Sequence, residues 1–244
     1  MRRMIRNVAP VAALVAGTIL VGCSVDMGSS GMDGVTLAEL DLTAAPPTGV
    51  ALVGPDDIAV TRGDRFLIDA TGDADAVDAL RFRLEGDRLK VGRMKGADRD
   101  LGKARVRVVL PSLHSIALAG SGDIASDHLT DDGDISVAGS GNVRLAKIAT
   151  RALDVSIAGS GSVEGSGTTQ TLNVSIAGSG SARLSGVRTE NADVSIAGSG
   201  DVDLASDGTV DASIMGSGDV TVTGNATCSA SAMGSGKLRC DKAD

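Results

Sequence analysis

The chain has no tryptophan and no tyrosine, and Phe66 and Phe82 are its only phenylalanines. A fold made from it must pack small and aliphatic side chains in layers, and sugar subsites that stack on aromatic rings lack their usual residues. Histidine is scarce as well. His114 and His128 are the only two, and neither sits in a metal-ligand or triad-type pattern. Positive charge is in deficit: beyond the first 22 residues, 20 Lys and Arg face 31 Asp and Glu, a net of −11. That balance favours solubility and argues against general nucleic-acid binding. Long apolar runs are missing apart from one near the start.

That run, Val8 to Val21, follows Arg2, Arg3 and Arg6 and is broken only by Pro10, Gly17 and Thr18. It is too short to span a bilayer, and its basic flank reads as a secretory signal over residues 1–22. Leu20-Val21-Gly22-Cys23 closes it and resembles the lipobox of bacterial lipoproteins. The resemblance implies a diacylglycerol on the Cys23 sulfur and cleavage just before it, with Ser24 pointing to the outer membrane. Residues 23–47 carry Gly, Ser, Asp and then Pro46-Pro47, so the reading there is a flexible tether, whose residues 24–44 alone reach roughly 70 Å when extended.

What the chain has in abundance is glycine, 33 of them. Gly-Ser-Gly recurs from Gly120, Gly139, Gly159, Gly178, Gly198, Gly216 and Gly234, at steps of 18 to 20 residues. A period of that length indicates a repeat architecture, and side-chain parity says which. Val194, Ile196, Val202 and Leu204 share one parity, and Ser195, Asp201 and Asp203 the other. Period two means strand. Each unit also lacks room for a helix, and its glycines fall where the chain must turn. The prediction is an all-β, right-handed parallel β-helix with rungs of 18–20 residues, strands stacked about 4.8 Å apart. Residues 48–244 form the domain: irregular opening rungs or a cap over 48–115, and the repeats over 116–240.

Stacking predicts columns. Leu118, Val137, Ile157, Ile176, Ile196, Ile214 and Ala232 form an inward ladder, and Ala117, Ser136, Ser156, Ser175, Ser195, Ser213 and Ser231 an outward one. With the opening segment, Leu-Pro-Ser-Leu at 110–113 and the repeated apolar-x-Gly-Ser-Gly-Asp-Val units, residues 48–244 resemble the head GIN domain of putative autotransporter adhesins. The resemblance implies a β-helical domain of bacterial lipoproteins and supplies no catalytic or ligand residues.

Three features are candidate sites. Asp201 and Asp219 follow Gly-Ser-Gly on adjacent rungs, about 5 Å apart by strand spacing, a separation that suits a cation or a glycosidase pair but is more simply a solvated polar ladder. Cys228 and Cys240 both fall at inward positions of the last rung, either as a disulfide that pins the end or as two free thiols; a metal there would lack further ligands. Residues 81–107 hold ten basic against four acidic residues. There Arg81, Arg83, Arg105 and Arg107 alternate with apolar residues and are expected to share an outer face, either contacting anionic envelope polymers or simply solvating a strand.

The functional expectation is a non-catalytic cell-envelope lipoprotein, adhesin-like or structural, held to the membrane by its lipid. It needs no cofactor or metal, and its partner is an envelope polysaccharide or another protein. The alternative is a β-helix that binds or cleaves polysaccharide.

Overall fold

The computed structural model describes residues 31–97 and 100–241; the expected signal sequence over residues 1–22 and the expected lipidation site Cys23 lie outside them. The opening strands are β1 (Gly49–Gly54), β2 (Asp57–Arg62) and β3 (Leu67–Gly72), then a short helix α1 (Ala74–Ala79), then β4 (Leu80–Glu85), β5 (Arg88–Arg93) and β6 (Ala104–Leu110). The repeats supply β7 (Ser115–Gly120), β8 (Asp123–Ser126), β9 (Leu129–Gly139), β10 (Asn142–Gly159), β11 (Ser162–Thr168) and β12 (Thr171–Gly178). The series ends with β13 (Ser181–Gly198), β14 (Asp201–Gly216), β15 (Asp219–Thr223), β16 (Thr227–Gly234) and β17 (Lys237–Asp241). Together they make a parallel β-solenoid of about seven turns.

Register follows the columns read from the sequence. Ile157 lies over Val137 and under Ile176, which lies under Ile196 and then Ile214. The column continues backward through Leu118 to Leu52 and Val91. Each of these side chains is 2 % exposed or less, so each contributes about 1.5–3 kcal/mol of apolar burial. Ala230 and Ala232, on the last rung, are exposed.

The corner chemistry explains Gly-Ser-Gly. The Gly139 carbonyl accepts N–H bonds from both Ser160 (2.9 Å) and Gly161 (3.0 Å) of the next rung, and the Gly120 carbonyl accepts from Ser140 and Gly141 in the same way. Gly159 reaches this geometry at φ +122°, and a Cβ on it would run into the Gly139 carbonyl oxygen. Glycine alone tolerates both conditions. In the opening rung Gly54-Pro55-Asp56 occupies the same corner, with Gly54 in register with Gly120.

The N-terminal end is closed. Here β4 runs antiparallel to β5 and β3 antiparallel to β6, so each side of the first turn finishes in a reversed strand. Between them α1 buries Ala76 and Ala79, one turn apart. Asp56 and Arg93 lock the closure with hydrogen bonds of 2.8 and 2.7 Å, and Asp56 also accepts the Ala104 N–H.

Part of the expected tether is docked rather than free. Val35 pairs antiparallel with Phe82 through two backbone bonds, Met32 bridges Met94, and Leu37 and Leu40 pack against the core. The reason is the edge that β4 would otherwise leave open. Among the described residues no helix is long and apolar enough to cross a membrane.

Candidate functional site

Asp201 and Asp219 lie in a column that begins at Asp57 and Asp123 and runs through Asn142 and Ser162 to Lys237. The column is bonded along the solenoid axis. Asp123 Oδ1 accepts the Asn142 N–H at 3.0 Å and its amide at 2.8 Å, and Ser162 Oγ donates to Asn142 Oδ1 at 2.6 Å. Asp201 Oδ1 accepts the Asp219 N–H at 3.1 Å, and Asp219 Oδ1 accepts the Lys237 N–H at 3.0 Å. Each carboxylate thus serves a backbone donor of the next rung, which sets it apart from a pair poised across a glycosidic bond. Among the described residues no group of three His, Cys, Asp or Glu side chains is arranged to hold a metal ion.

The histidines make a pairing the sequence reading did not anticipate. His128, 4 % exposed, shares its Nδ1 hydrogen bond with Asp127 Oδ1. The same carboxylate accepts the Arg62 N–H. Burial pushes the Asp127 carboxyl up, but the His128 and Arg62 bonds outweigh it and hold the group below its ordinary value. Ser126 is adjacent, yet its hydroxyl donates to the His128 carbonyl at 2.8 Å and not to the ring. A nucleophile–base pair needs the ring contact. His114 Nε2 lies 2.9 Å from Asp131, whose φ of 62° is the only positive value among the described non-glycine residues.

The four arginines do not share one face, contrary to the sequence expectation. Arg81 and Arg83 lie on β4, in the stack that runs through β5 to β1; Arg105 and Arg107 lie on β6, beside β2. A corner at residues 54–57 separates β1 from β2, so the two pairs project from different sides. Parity along each strand was visible in the sequence, but which side the strand joins depends on pairing across tens of residues. Arg81 is occupied by the Asp78 and Leu80 carbonyls, and Arg105 stands 4.0 Å from Asp57. Arg83 and Arg107 are exposed.

Cys228 and Cys240 are joined by a disulfide, with Cα atoms 6.7 Å apart. It links β16 to β17, the two sides of the last rung. Cys228 is half-buried and Cys240 exposed, because nothing among the described residues covers that rung.

The stack of β7, β9, β10, β12, β13, β14 and β16 presents a regular outer face. Ser136, Ser156, Ser175, Ser195 and Ser213 stand in register, flanked by Ala138, Ala158, Ala177 and Ala197. A second column holds Asp134, Asp154, Asn173, Asp193 and Asp211, with an Asn173 to Asp154 bond of 2.7 Å. The serine hydroxyls of this face bond no protein group among the described residues, unlike the corner carboxylates.

A family described as "Putative auto-transporter adhesin, head GIN domain" matches residues 46–226. Solved structures share the fold. A "putative adhesin" of Bacteroides fragilis is 22 % identical, with a TM-score of 0.75 over 80 % of this chain and 93 % of that one. A "putative lipid binding protein" of Parabacteroides distasonis is 25 % identical, with a TM-score of 0.62 over 81 % and 94 %. A "putative adhesin" of Parabacteroides merdae is 19 % identical, with a TM-score of 0.61 over 82 % and 93 %. No curated protein matches the chain.

Proposed function

The chain belongs to the head GIN domain family of auto-transporter adhesin type, and from that premise we propose that it is a non-catalytic, adhesin-like module of the cell envelope. In this reading it is a lipoprotein anchored through Cys23 in the outer membrane, and its solenoid binds an envelope polysaccharide or another protein. One contrast carries the reading. The corner carboxylates are committed to the backbone of the next rung, whereas the Ser and Ala columns of the outer face stay open to a partner. Spaced at about 4.8 Å, those hydroxyls form a flat, repeating array suited to an extended, repetitive ligand. The relatives described as adhesins, and the one described as lipid binding, support a binding role over a chemical one.

The test pairs binding with turnover. Purified protein is incubated with envelope glycans, and both retention of glycan and release of new reducing ends are measured. Retention without release is expected. Release that disappears in the Asp201→Ala/Asp219→Ala double variant would instead make this a polysaccharide-cleaving solenoid. Mass spectrometry of the protein from membranes tests the anchor, through acyl chains on Cys23 that are absent in Cys23→Ser.

A further inference from the structure

Large apolar side chains are exposed in two places. Val35 (40 %), Leu42 (36 %), Leu67 (51 %) and Met94 (41 %) belong to the closed N-terminal end or the strap that crosses it, and Met215 and Met233 lie at the far end. The closed end is also where the described chain begins. Gly31 sits against Lys95, and Met32 pairs with Met94, so the chain leaves the domain at the corner formed by residues 94–97. Because the strap is docked, only seven residues, or eight Cα steps, separate Gly31 from Cys23, a reach of about 28 Å at full extension. A free tether to residue 47 would have let the domain wander roughly three times as far.

We propose that the solenoid stands on its closed end, with the strap and the Met94 corner resting on the bilayer that holds the Cys23 lipid. This rests on the anchor reading above and adds an interaction surface to it. Met94 and Val35 are placed to reach the headgroup–acyl boundary, where modest apolar groups beside cations are favoured. Lys95 lies next to Met94 and is 52 % exposed even while paired with Asp33, and the exposed Arg83 follows Phe82, the strand partner of Val35. Arg81 packs on the Met94 sulfur at 3.5 Å. Long cationic stems of this kind cover apolar surface and carry their charge to phosphates. Acidic groups are present at this end too: Asp33, Glu39 and Asp41 lie on the strap and Asp75 and Asp78 on α1. Anionic headgroups therefore favour the Met94 corner, where Arg81, Arg83 and Lys95 gather, over α1. Anchored this way, the Ser and Ala face runs outward from the membrane.

The absence of tryptophan makes the test direct. Single reporters Met94→Trp and Met233→Trp are placed in the full lipidated protein and reconstituted in phosphatidylethanolamine–phosphatidylglycerol vesicles containing brominated lipid. Position 94 follows β5, and β5 and β16 are eight strand steps apart, about 38 Å. The proposal expects blue-shifted, strongly quenched emission from Met94→Trp and unquenched emission from Met233→Trp. Val35→Trp, on the strap beside the same corner, serves as a second reporter if Met94→Trp folds poorly. Acylated Cys23 with an unquenched closed-end reporter, or equal quenching at both ends, overturns this proposal alone. A mature protein whose mass shows no acyl chain overturns the anchor reading and this one together.

Discussion

Asp56 and Arg93, 37 residues apart in the chain, meet in a bidentate ion pair whose side chains are 0 % and 7 % exposed. The Asp56 carboxylate raises the affinity of Arg93 for its proton, and Arg93 also donates to the Gly102 carbonyl at 2.6 Å. Removing one partner strands a buried charge, so Asp56→Ala is expected to cost about 3–5 kcal/mol. Replacing both with apolar groups, as in Asp56→Leu/Arg93→Met, should recover much of that loss. Urea denaturation of the three proteins checks it.

The corner glycines give a second prediction. Gly159→Ala combines a positive φ with a clash against a backbone carbonyl of the rung before, so it is expected to cost more than the roughly 1 kcal/mol of an ordinary Gly→Ala strain. Ser160→Ala, between the two glycines and exposed, should stay within about 0.5 kcal/mol. Thermal melts of both variants separate the two effects.

Reduction of Cys228–Cys240 should act locally. The loop it closes spans 12 residues in sequence, which in the chain-entropy picture is worth about 2–3 kcal/mol. Hydrogen exchange is expected to rise across residues 227–241 in Cys228→Ser/Cys240→Ser, with β10 to β13 unchanged.

Acid should weaken the Asp127 contribution. Its folded value lies below the ordinary one, so its stabilisation is fully present above the unfolded value near pH 3.9 and fades as pH falls through the folded one. Asp127→Ala is therefore expected to be less stable at pH 7 by about 1 kcal/mol, with the gap to wild type closing below about pH 4. Melting curves at pH 7 and pH 3 read this out.

The solenoid was legible because its information is periodic. Ile157, Ile176 and Ile196 occupy equivalent places in three successive repeats, and equivalent places become neighbours once the coil closes. The opening segment carries no such repetition. Ala74-Asp75-Ala76-Val77-Asp78-Ala79 is too short for its three-residue spacing of Asp75 and Asp78 to mark a helix by itself, and it forms α1 because Ala76 and Ala79 fall one turn apart over an end that needs covering. The strap at 32–40 likewise looks like linker by composition, and only the free edge of β4 gives it a place. The role of Asp201 and Asp219 was half visible: their adjacency follows from the period, but the N–H each accepts depends on which way a side chain turns at the corner.

The outer face binds, and the corner column only supports it. Cells displaying the lipidated protein can be scored for attachment to envelope material, comparing Ser156→Lys/Ser175→Lys/Ser195→Lys with Asp201→Ala/Asp219→Ala. The serine triple variant, folded as judged by its β-sheet circular dichroism, is expected to lose attachment while the aspartate pair keeps it. Undiminished attachment with three lysines on that face would contradict it.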